Sequence, residues 1–412
     1  RRASFALFEL IRSGELDSTW LDSALYTWSK TPELTPILWR YYTKTKDTIP
    51  ASIIEESKHS ISFWLDSISG SINSCSDSFL FLCKEIFNLH YEEKIKTNGS
   101  IDDILTDAIN HPIGHVANAL FNVWFNTKPK DNDGLSQDIK DILFQFCDRN
   151  IKKFSYARVF LGRYLIPLYR VDKEWTKKNI IPLFNWDDDK ICARIMWTGF
   201  FSRNQIDISL MYELKKEFLY NACHYDELGH IGDYFVNMLT YMALNNYKVY
   251  TKAEYQKTFS HLMPKAFEKI SKILELTIRN SPNKNNTFNH MVKPFWISLE
   301  NKDVRSVTSK ISLNFAQLII ESDSKFKDTL GLFGDYLIPL ENSFYVLYKL
   351  KETKLCQEYP EQVLLLLSKI IGSHTHDLID LKLILEDIEK ASPILKKKKN
   401  FKNLNILASD TS

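Results

Sequence analysis

The chain has 412 residues, of which 44% are hydrophobic and 25% are charged, and its formal net charge is only +2. This balance is typical of folded globular proteins, and the length suffices for two or three domains or for one long repeat array. The small net charge excludes a strong global field for nucleic acid or an anionic membrane, and 12 glycines leave little material for a glycine-rich phosphate loop.

The start of the chain and its cysteines indicate where the protein works. The sequence opens with RRASFALFEL, without an initiator methionine and already with helical periodicity, so we interpret it as a piece of a longer protein. It has neither a long uninterrupted apolar stretch, which would predict a membrane span, nor the cleavage pattern of a signal peptide. The six cysteines form no CxxC pair, and most lie in apolar helical patterns. Reduced thiols in a cytoplasmic protein are therefore expected.

Apolar residues recur at three- and four-residue spacing along the whole chain. One such stripe runs through residues 135–146 and another through residues 304–318, and sustained alternation of apolar and polar residues is absent. The pattern predicts an all-α fold with roughly eighteen to twenty helices of about 10 to 20 residues. Helix starts are predicted at Pro360 and at Thr251, which has capping-box spacing to Glu254.

A short proline-containing motif recurs along the chain. YLIPL occurs at 164–168 and again at 336–340, and the variant IIPLF occurs at 180–184. Proline disfavours a helical conformation in the residue before it and lacks a backbone donor, so each copy should end or kink a helix. Such punctuation suits stacked helix pairs, so we predict an irregular, HEAT-like α-solenoid, with a multi-helix bundle as the alternative.

Two polar stretches mark the predicted segment boundaries. They are NTKPKDNDG at 126–134 and NSPNKNNTFN at 280–289, both predicted to be exposed loops. The run Lys396–Lys399 is interpreted as part of a solvated basic tail. The predicted segments, within one continuous array, are an N-terminal one at 1–128, a central one at 129–281 and a C-terminal one with the basic tail at 282–412.

The stretch HPIGH contains the residues that most resemble a reactive site. His111 and His115 are four residues apart, so on a helix they would share a face and could bind zinc. A zinc protease would need a glutamate beside the first histidine, and Pro112 stands there instead. We therefore prefer a helix start, with Asn110 as its cap and with Pro112 and Gly114 in its first turn.

Two E-x-x-H pairs, Glu56/His59 and Glu227/His230, have the spacing found in di-iron helical bundles. Those sites also need further inward-facing glutamates from two other helices. The first pair lies in the polar segment EESKHS, which is typical of a surface. Cys223 would share a helical face with Glu227 and His230 and could add a third ligand, but such spacing is more often incidental.

Two remaining patterns are explained by helices. His374 and His376 form an H-x-H, as in barrel amidohydrolases, but the preceding run after Pro360 is predicted to be helical rather than a barrel strand. Asp187–Asp189, ahead of Lys190, are favoured at the start of a helix by its dipole. G-x-S-x-G, P-loop and G-x-G-x-x-G motifs are absent from the sequence. We predict no catalytic, cofactor-binding or metal-binding residue.

Three motifs, NHPIG, PLFNW and WTG, give the chain a resemblance to a known family. With the SLMYELKKEFL that follows and the later KPFWISLENKDV, they resemble the C-terminal helical region of bacterial sirtuin-like anti-phage defence proteins. The similarity covers roughly residues 100 to 350. The residues that match the family pattern are Asn110, His111, Pro112, Gly114, Pro182, Leu183, Phe184, Trp186, Trp197 and Gly199.

The resemblance implies a large protein whose N-terminal sirtuin-like domain hydrolyses NAD, with this helical region as scaffold and infection sensor. Because the glycine-rich NAD motif is missing here, that domain would lie upstream of Arg1, and no catalytic residue carries over. The expectation is a non-enzymatic module of a cytoplasmic protein without a cofactor. Its expected partners are a phage protein and the upstream domain, with self-association left open, and neither a membrane nor nucleic acid is expected.

Two alternatives stay open at the level of the sequence. One is a metal-dependent enzyme of helical-bundle type that uses Glu56, His59, Glu227 and His230. The other is a generic helical scaffold for protein interactions that has no role in defence. The sequence does not distinguish whether the module activates or inhibits its neighbour.

Overall fold

A computed structural model describes most of the chain after residue 102 and parts of what precedes it. Nearly all described residues are helical or lie in turns, which confirms the all-α class. Among them no strand occurs, and one isolated bridge joins Asn342 to His376. The described residues are 103–262, 265–299, 306–376 and 378–409, together with 17–31, 50–72, 77–89 and positions 5, 6, 9, 10, 13, 14, 39 and 91.

The contacts divide the chain into two compact units. The first comprises residues 1–218 and 226–234, and the second comprises residues 219–225 and 235–412. The boundaries predicted from the polar stretches, after residues 128 and 281, each lie inside one of these units. The helical-repeat arrangement stays a prediction, because the internal structure of the two units does not establish a repeat.

The α-helices up to residue 228 include many of fewer than ten residues, and 3-10 helices at Lys152–Phe154 and Ile181–Phe184 lie between them. In chain order they are α1 (Ser18–Ser29), α2 (Ala51–Glu56), α3 (Lys58–Ser69), α4 (Asp77–Asn88), α5 (Asp103–Asn110), α6 (Pro112–Asn126), α7 (Gln137–Cys147), α8 (Ser155–Arg163), α9 (Leu165–Val171), α10 (Lys173–Asn179), α11 (Lys190–Phe201), α12 (Ile208–Glu213), α13 (Lys215–Tyr220) and α14 (Tyr225–Leu228).

The later part of the chain continues in the same way, and it contains one π-helix, Phe288–Val292. Its 3-10 helices are Asp323–Lys325, Gly334–Tyr336 and Pro393–Lys397. Its α-helices are α15 (Ile231–Leu244), α16 (Lys252–Leu262), α17 (Phe267–Arg279), α18 (Lys284–Thr287), α19 (Lys293–Ser298), α20 (Ser309–Glu321), α21 (Phe326–Phe333), α22 (Phe344–Glu352), α23 (Leu355–Glu358), α24 (Pro360–Ile370), α25 (Leu381–Ala391) and α26 (Lys399–Ser409).

Many of the helices are shorter than the predicted 10 to 20 residues. The stretch SLMYELKKEFL is divided at Leu214 into α12 and α13. Asp207 caps α12 by accepting a hydrogen bond of 3.0 Å from the backbone N–H of Leu210. The stripe at 135–146 is confirmed as a buried face, and Pro360 is confirmed as the first residue of α24.

Each copy of the recurrent proline motif lies where a helix ends, although in the first copy Ile166, the residue before the proline, is itself helical. Tyr164 ends α8 and precedes α9, so the first YLIPL lies at a helix junction. In the second copy, Tyr336 ends a 3-10 helix and Leu337 is extended. In IIPLF, α10 has already ended before Ile180, and a 3-10 helix follows.

The centre of the first unit is a close crossing of α8 and α11. Gly162 of α8 faces the carbonyl oxygen of Met196, and Gly199 of α11 faces the carbonyl oxygen of Val159, and a Cβ atom on either glycine would overlap that oxygen. The two backbones therefore touch directly. This contact explains why glycine stands in the WTG motif, since any side chain there would force the helices apart.

Aromatic side chains surround this crossing. The Trp197 ring lies 4.7 Å from Phe184 and 5.1 Å from Phe201, and its Nε1 donates a hydrogen bond of 3.1 Å to the carbonyl oxygen of Phe184. Trp197 is completely buried. Its indole N–H thus has the partner that a buried tryptophan requires.

The second unit has its own aromatic core, between α17, α19, α20 and α21. The Trp296 ring lies 5.2 Å from Phe315 and 5.0 Å from Phe333, and Phe315 stacks on Phe333 at 4.8 Å. Buried Glu275 forms ion pairs with Lys272 and Arg279 of its own helix, at 2.7 and 3.1 Å. The charge of this carboxylate is therefore compensated within α17.

The crossing of α8 and α11 makes a direct stability prediction. We expect Gly199→Ala to lower the free energy of unfolding by about 1–3 kcal/mol or more, because the new methyl group overlaps backbone that cannot move without separating the helices. Thermal and urea unfolding of the purified protein measure this change.

The matched control is Gly331→Ala on α21. A Cβ atom there meets nothing within 4 Å, and the residue is exposed. Alanine favours a helix more than glycine does, so this variant should be neutral or more stable by up to about 1 kcal/mol. Equal effects of the two substitutions would contradict the close crossing.

Candidate functional site

His111 caps helix α6. It is extended, with φ −90° and ψ 142°, and its Nδ1 accepts a hydrogen bond of 3.2 Å from the backbone N–H of Ile113. Pro112 is the first helical residue, as predicted. The prediction that Asn110 is the cap is wrong, because α5 continues through Asn110, whose Nδ2 donates to the carbonyl oxygen of Thr106 at 2.8 Å.

Gly114 lies in the first turn of α6, as predicted, and its role is close packing. A Cβ atom on this residue would overlap the carbonyl oxygen of Ala108 in α5. The junction between α5 and α6 is therefore tight enough to require glycine. The glycines of both glycine-containing motifs of the resemblance, NHPIG and WTG, are thus explained by direct backbone packing.

The His111 ring contacts two tyrosines. It stacks on Tyr156 with ring centroids 4.0 Å apart, and the Tyr91 ring lies 5.2 Å away in a tilted arrangement. Burial raises the pKa of both tyrosines, so both phenols stay neutral. The Nζ atom of Lys58 lies 5.1 Å from the centroid of the Tyr91 ring. These contacts make the surroundings of the histidine aromatic and partly desolvated.

Burial, and after it charge repulsion from His59, His115 and Lys58, lowers the pKa of His111 to about 4. The neutral form also suits the cap, because a protonated Nδ1 cannot accept the hydrogen bond from Ile113. A positive charge at the beginning of α6 would in addition oppose the helix dipole. His111 therefore acts as a neutral structural group at physiological pH.

His115 belongs to a row of polar side chains on α6 that bind α3, which we name the polar seam. Its Nδ1 lies 3.1 Å from Oδ2 of Asp66. One turn later, Asn118 donates to Oδ1 of Asp66 at 2.8 Å, and after another turn Asn122 donates to Oγ of Ser69 at 3.0 Å. The His115 ring thus already interacts with a carboxylate from a neighbouring helix.

The polar seam extends to the end of α6 and to a second helix junction. Asn126 donates through Nδ2 to the carbonyl oxygens of Ser69 and Ile72 at 2.9 and 2.8 Å, which satisfies acceptors at and beyond the end of α3. Asn118 accepts a hydrogen bond of 2.9 Å from the hydroxyl of Tyr164, which lies between α8 and α9. Sequence analysis missed this seam, although His115 and the asparagines follow helical spacing.

The structure brings His59 into the neighbourhood of His111 and His115, which the sequence does not predict, since the three belong to two separate motifs. The His59 side chain is largely exposed, yet its pKa is lowered, first by partial desolvation and then by Lys58 and His115. However, in the part of the chain that the structure describes, no group of three or more His, Cys, Asp or Glu side chains could hold a metal ion. The three histidines together do not make a metal site there.

Neither E-x-x-H pair lies on a single helix. Glu56 ends α2 and His59 lies in α3, and both side chains are exposed, as the polar segment indicates. Glu227 lies in the short helix α14, whereas His230 follows it in a turn and Cys223 precedes it in another. The predicted common helical face of these last three residues is therefore wrong, because the chain turns on both sides of α14.

The remaining candidates also have structural positions. His374 and His376 are exposed in the loop after α24, and the helical prediction for the preceding run is confirmed. Asp189 caps α11 by accepting a hydrogen bond of 3.0 Å from the backbone N–H of Cys192. Burial raises the pKa of the Cys192 thiol to about 11, so this cysteine stays a protonated thiol. Asp188 forms an ion pair with Arg149 at 3.4 Å.

The motifs that carry the resemblance lie mostly in the core of the first unit. Phe184 and Trp197 are completely buried, and Trp186 is only 1% exposed. Pro182 is an exception, since it lies at the surface and its carbonyl oxygen accepts a hydrogen bond of 2.7 Å from Arg149. These buried motif residues contribute to packing.

The fold identifies the chain as an all-α protein and defines no narrower class. A comparison of the chain with protein-family models, curated proteins and solved structures finds no match. Within the described residues, every helix is too short or too polar to cross a membrane.

The cap formed by His111 makes stability depend on pH. Its pKa is about 4 in the folded protein and 6.5 in an ordinary histidine, so between these values the unfolded chain binds a proton that the folded chain does not. Stability should therefore fall as the pH drops from 6.5 to 4, by at most about 1.4 kcal/mol per pH unit from this group. Above pH 6.5 the group contributes no pH dependence.

The variant His111→Asn isolates this effect, because asparagine caps helices well and does not titrate. We expect it to reduce the slope of unfolding free energy against pH between 6.5 and 4, with stability at pH 7.5 changed little. His111→Ala, which removes the cap, should lower stability at pH 7.5 by about 0.5–2 kcal/mol. An unchanged slope in His111→Asn would show that His111 is not the titrating group.

The metal-dependent alternative has its own measurement. Because the E-x-x-H pairs are divided between elements, we expect less than a tenth of an equivalent, roughly, of zinc or iron in protein purified without chelators. Elemental analysis measures this content. One equivalent of either metal that is lost in His59→Ala would restore the di-iron or zinc hypothesis.

Proposed function

We propose that the chain is a non-enzymatic helical module that senses infection and regulates a sirtuin-like, NAD-hydrolysing domain encoded upstream of it. The support is the sequence resemblance together with the position of the residues that carry it. Those residues are used for helix caps, backbone contacts and aromatic packing in the first unit. A shared set of packing residues indicates a shared fold, and in this family that fold accompanies the sensor region.

One observation carries the proposal further than the motifs alone do. A hydrogen bond joins PLFNW to WTG, because Nε1 of Trp197 donates to the carbonyl oxygen of Phe184. The spacing between these motifs is therefore fixed by a physical contact between the 3-10 helix Ile181–Phe184 and α11. Two motifs that depend on each other in this way favour the resemblance over chance similarity.

In the proposed mechanism, a phage protein binds the helical surface and shifts the parent protein towards its active state. A partner can do so only if it binds the active state more tightly than the resting state. The helical module must therefore be well packed, since a loosened core cannot transmit a difference between two states. We place the protein in the cytoplasm, where NAD and phage proteins meet, and leave the direction of regulation open.

Trp186→Ala tests the proposal in the parent protein. Removal of this buried indole should cost about 3–5 kcal/mol and loosen the first unit. We expect cells that carry this variant to keep their NAD after infection, while cells with the wild-type parent lose it. The isolated chain should neither bind nor hydrolyse NAD. NAD content after infection and calorimetry with purified protein measure these outcomes.

Trp20→Ala is the matched control, because Trp20 is 62% exposed on α1. It removes the same side chain with little loss of packing, so melting temperature and triggered NAD loss should stay close to wild type. Depletion of NAD by the isolated chain alone would overturn the proposal. So would an upstream reading frame that encodes no sirtuin-like domain.

A further inference from the structure

The second unit contains a cleft of about 270 Å³ that none of the sequence motifs indicates. It is formed by the end of α15, by one face of α16 and by the π-helix with α19. The volume lies just below the usual range for small-molecule sites, which begins at about 300 Å³. The cleft is thus large enough for one small ring system and too small for a peptide.

One wall of the cleft is the π-helix Phe288–Val292. Its first two residues are the last two of NSPNKNNTFN, which was predicted to be an exposed loop, and only residues 280–283 of that stretch lie outside helices. Phe288 and Val292 are completely buried, while His290 and Met291 line the cleft. Single π-turns are rare and often occur at functional sites. Here the wide turn carries two different side chains to the cleft.

The interior of the cleft is lined by aromatic rings held by edge contacts. Phe259 of α16 meets Phe295 of α19 edge-on at 5.2 Å, and Tyr250 meets Tyr255 at 5.4 Å. The amide of Gln256 is fixed at the wall by a hydrogen bond of 2.9 Å to the carbonyl oxygen of Ser298. Rings held in this way offer faces and edges to another ring without losing side-chain entropy.

The lining of the cleft contains basic side chains but no acidic ones. Lys252 and His290 line the cleft with exposed side chains, and its lining residues include no aspartate or glutamate. Glu254 is directed to the cap of α16, where it accepts hydrogen bonds from the backbone N–H and the hydroxyl of Thr251, which confirms the predicted capping box. The cleft is therefore neutral to positive, which favours an anion.

We infer that this cleft binds a small aromatic ring that carries one anionic group, a carboxylate or a phosphate. The ring packs among Tyr255, Phe259 and Phe295, and the anion lies at the mouth within reach of Lys252 and His290. This inference concerns residues of the second unit alone, so it stands or falls independently of the proposed regulation of NAD hydrolysis.

Methyl resonances of methionine in the full chain provide a local measurement, because Met291 lines the cleft. The probes are phenyl phosphate and benzoate, with phenol and inorganic phosphate as partial analogues. We expect either or both of the complete probes to shift the Met291 methyl signal at millimolar concentration, and each partial analogue to bind at least about fivefold more weakly. The relative affinities of phenyl phosphate and benzoate then distinguish a phosphate ligand from a carboxylate ligand.

Two variants and one control assign the binding to the cleft. Lys252→Glu should weaken the better probe about tenfold, since it removes one exposed attraction and adds a repulsion of similar size. Ala243→Phe should abolish binding by filling the cleft from α15. Lys257→Glu changes an exposed lysine of the same helix that does not line the cleft, and it should leave affinity unchanged. Melting temperatures verify that all three variants fold.

The proposal is overturned if neither complete probe shifts Met291. It is also overturned if phenol binds as tightly as the complete probes, because the anion would then contribute nothing. Equal affinities of wild type and of folded Ala243→Phe would place the probes elsewhere. If Ala243→Phe does not fold, the test is the comparison of probe affinity between Lys252→Glu and Lys257→Glu. Equal affinities of these two variants overturn the proposal.

Discussion

The first unit depends on one backbone contact, the crossing of α8 and α11 at Gly162 and Gly199. Two helices without side chains at their crossing point approach more closely than any pair separated by Cβ atoms. An aromatic cluster lies beside this crossing, where Trp197 contacts Phe201 one turn later on α11 and the carbonyl group of Phe184 in the preceding 3-10 helix. Larger residues at either glycine would force α8 and α11 apart and leave a gap in the packing of the first unit.

A second constraint is the polar seam between α3 and α6. Buried or half-buried polar groups cost free energy unless they have partners, and here Asp66, His115 and Asn118 supply partners to one another. Apolar packing tolerates small shifts along a helix, whereas hydrogen bonds at successive turns do not. The seam therefore fixes how far α6 slides against α3, and the tight junction at Gly114 fixes where α6 begins.

The sequence allowed the fold class and many buried faces to be predicted, because helical periodicity is a local property. The stripe at 135–146 and the capping box at Thr251 are examples in which one segment contains all the information. The cap of α6 could not be placed to the residue, since whether Asn110 or His111 is the cap depends on how far α5 continues. The partners of the polar seam could not be predicted at all, since Asp66 and Asn118 are 52 residues apart.

The cleft and the π-helix illustrate a different limit of prediction from sequence. NSPNKNNTFN contains the residues of a loop, and nothing in its local pattern indicates that its residues 284–289 are helical. Burial of Phe288 and Val292 against the rest of the second unit compensates for the poor local preference. The cleft arises from three elements that are separated along the chain, so its lining could be recognised only after folding.

The number of helix ends explains why several motifs resembled chemistry. Each α-helix leaves four backbone N–H groups without partners at its start, so a fold of many short helices needs many capping side chains. Asp172, Asp189, Asp207 and His111 each accept such a hydrogen bond. These are the same residue types that act as catalytic acids, bases and metal ligands, and they occur next to prolines and other aspartates for the same capping reason. In an all-α chain of this kind, a histidine or an acidic run before an apolar stripe is therefore weak evidence for a reaction. Lys252 and His290 differ, since a lysine cannot accept a backbone hydrogen bond and His290 lies inside a π-helix, so helix capping does not account for either.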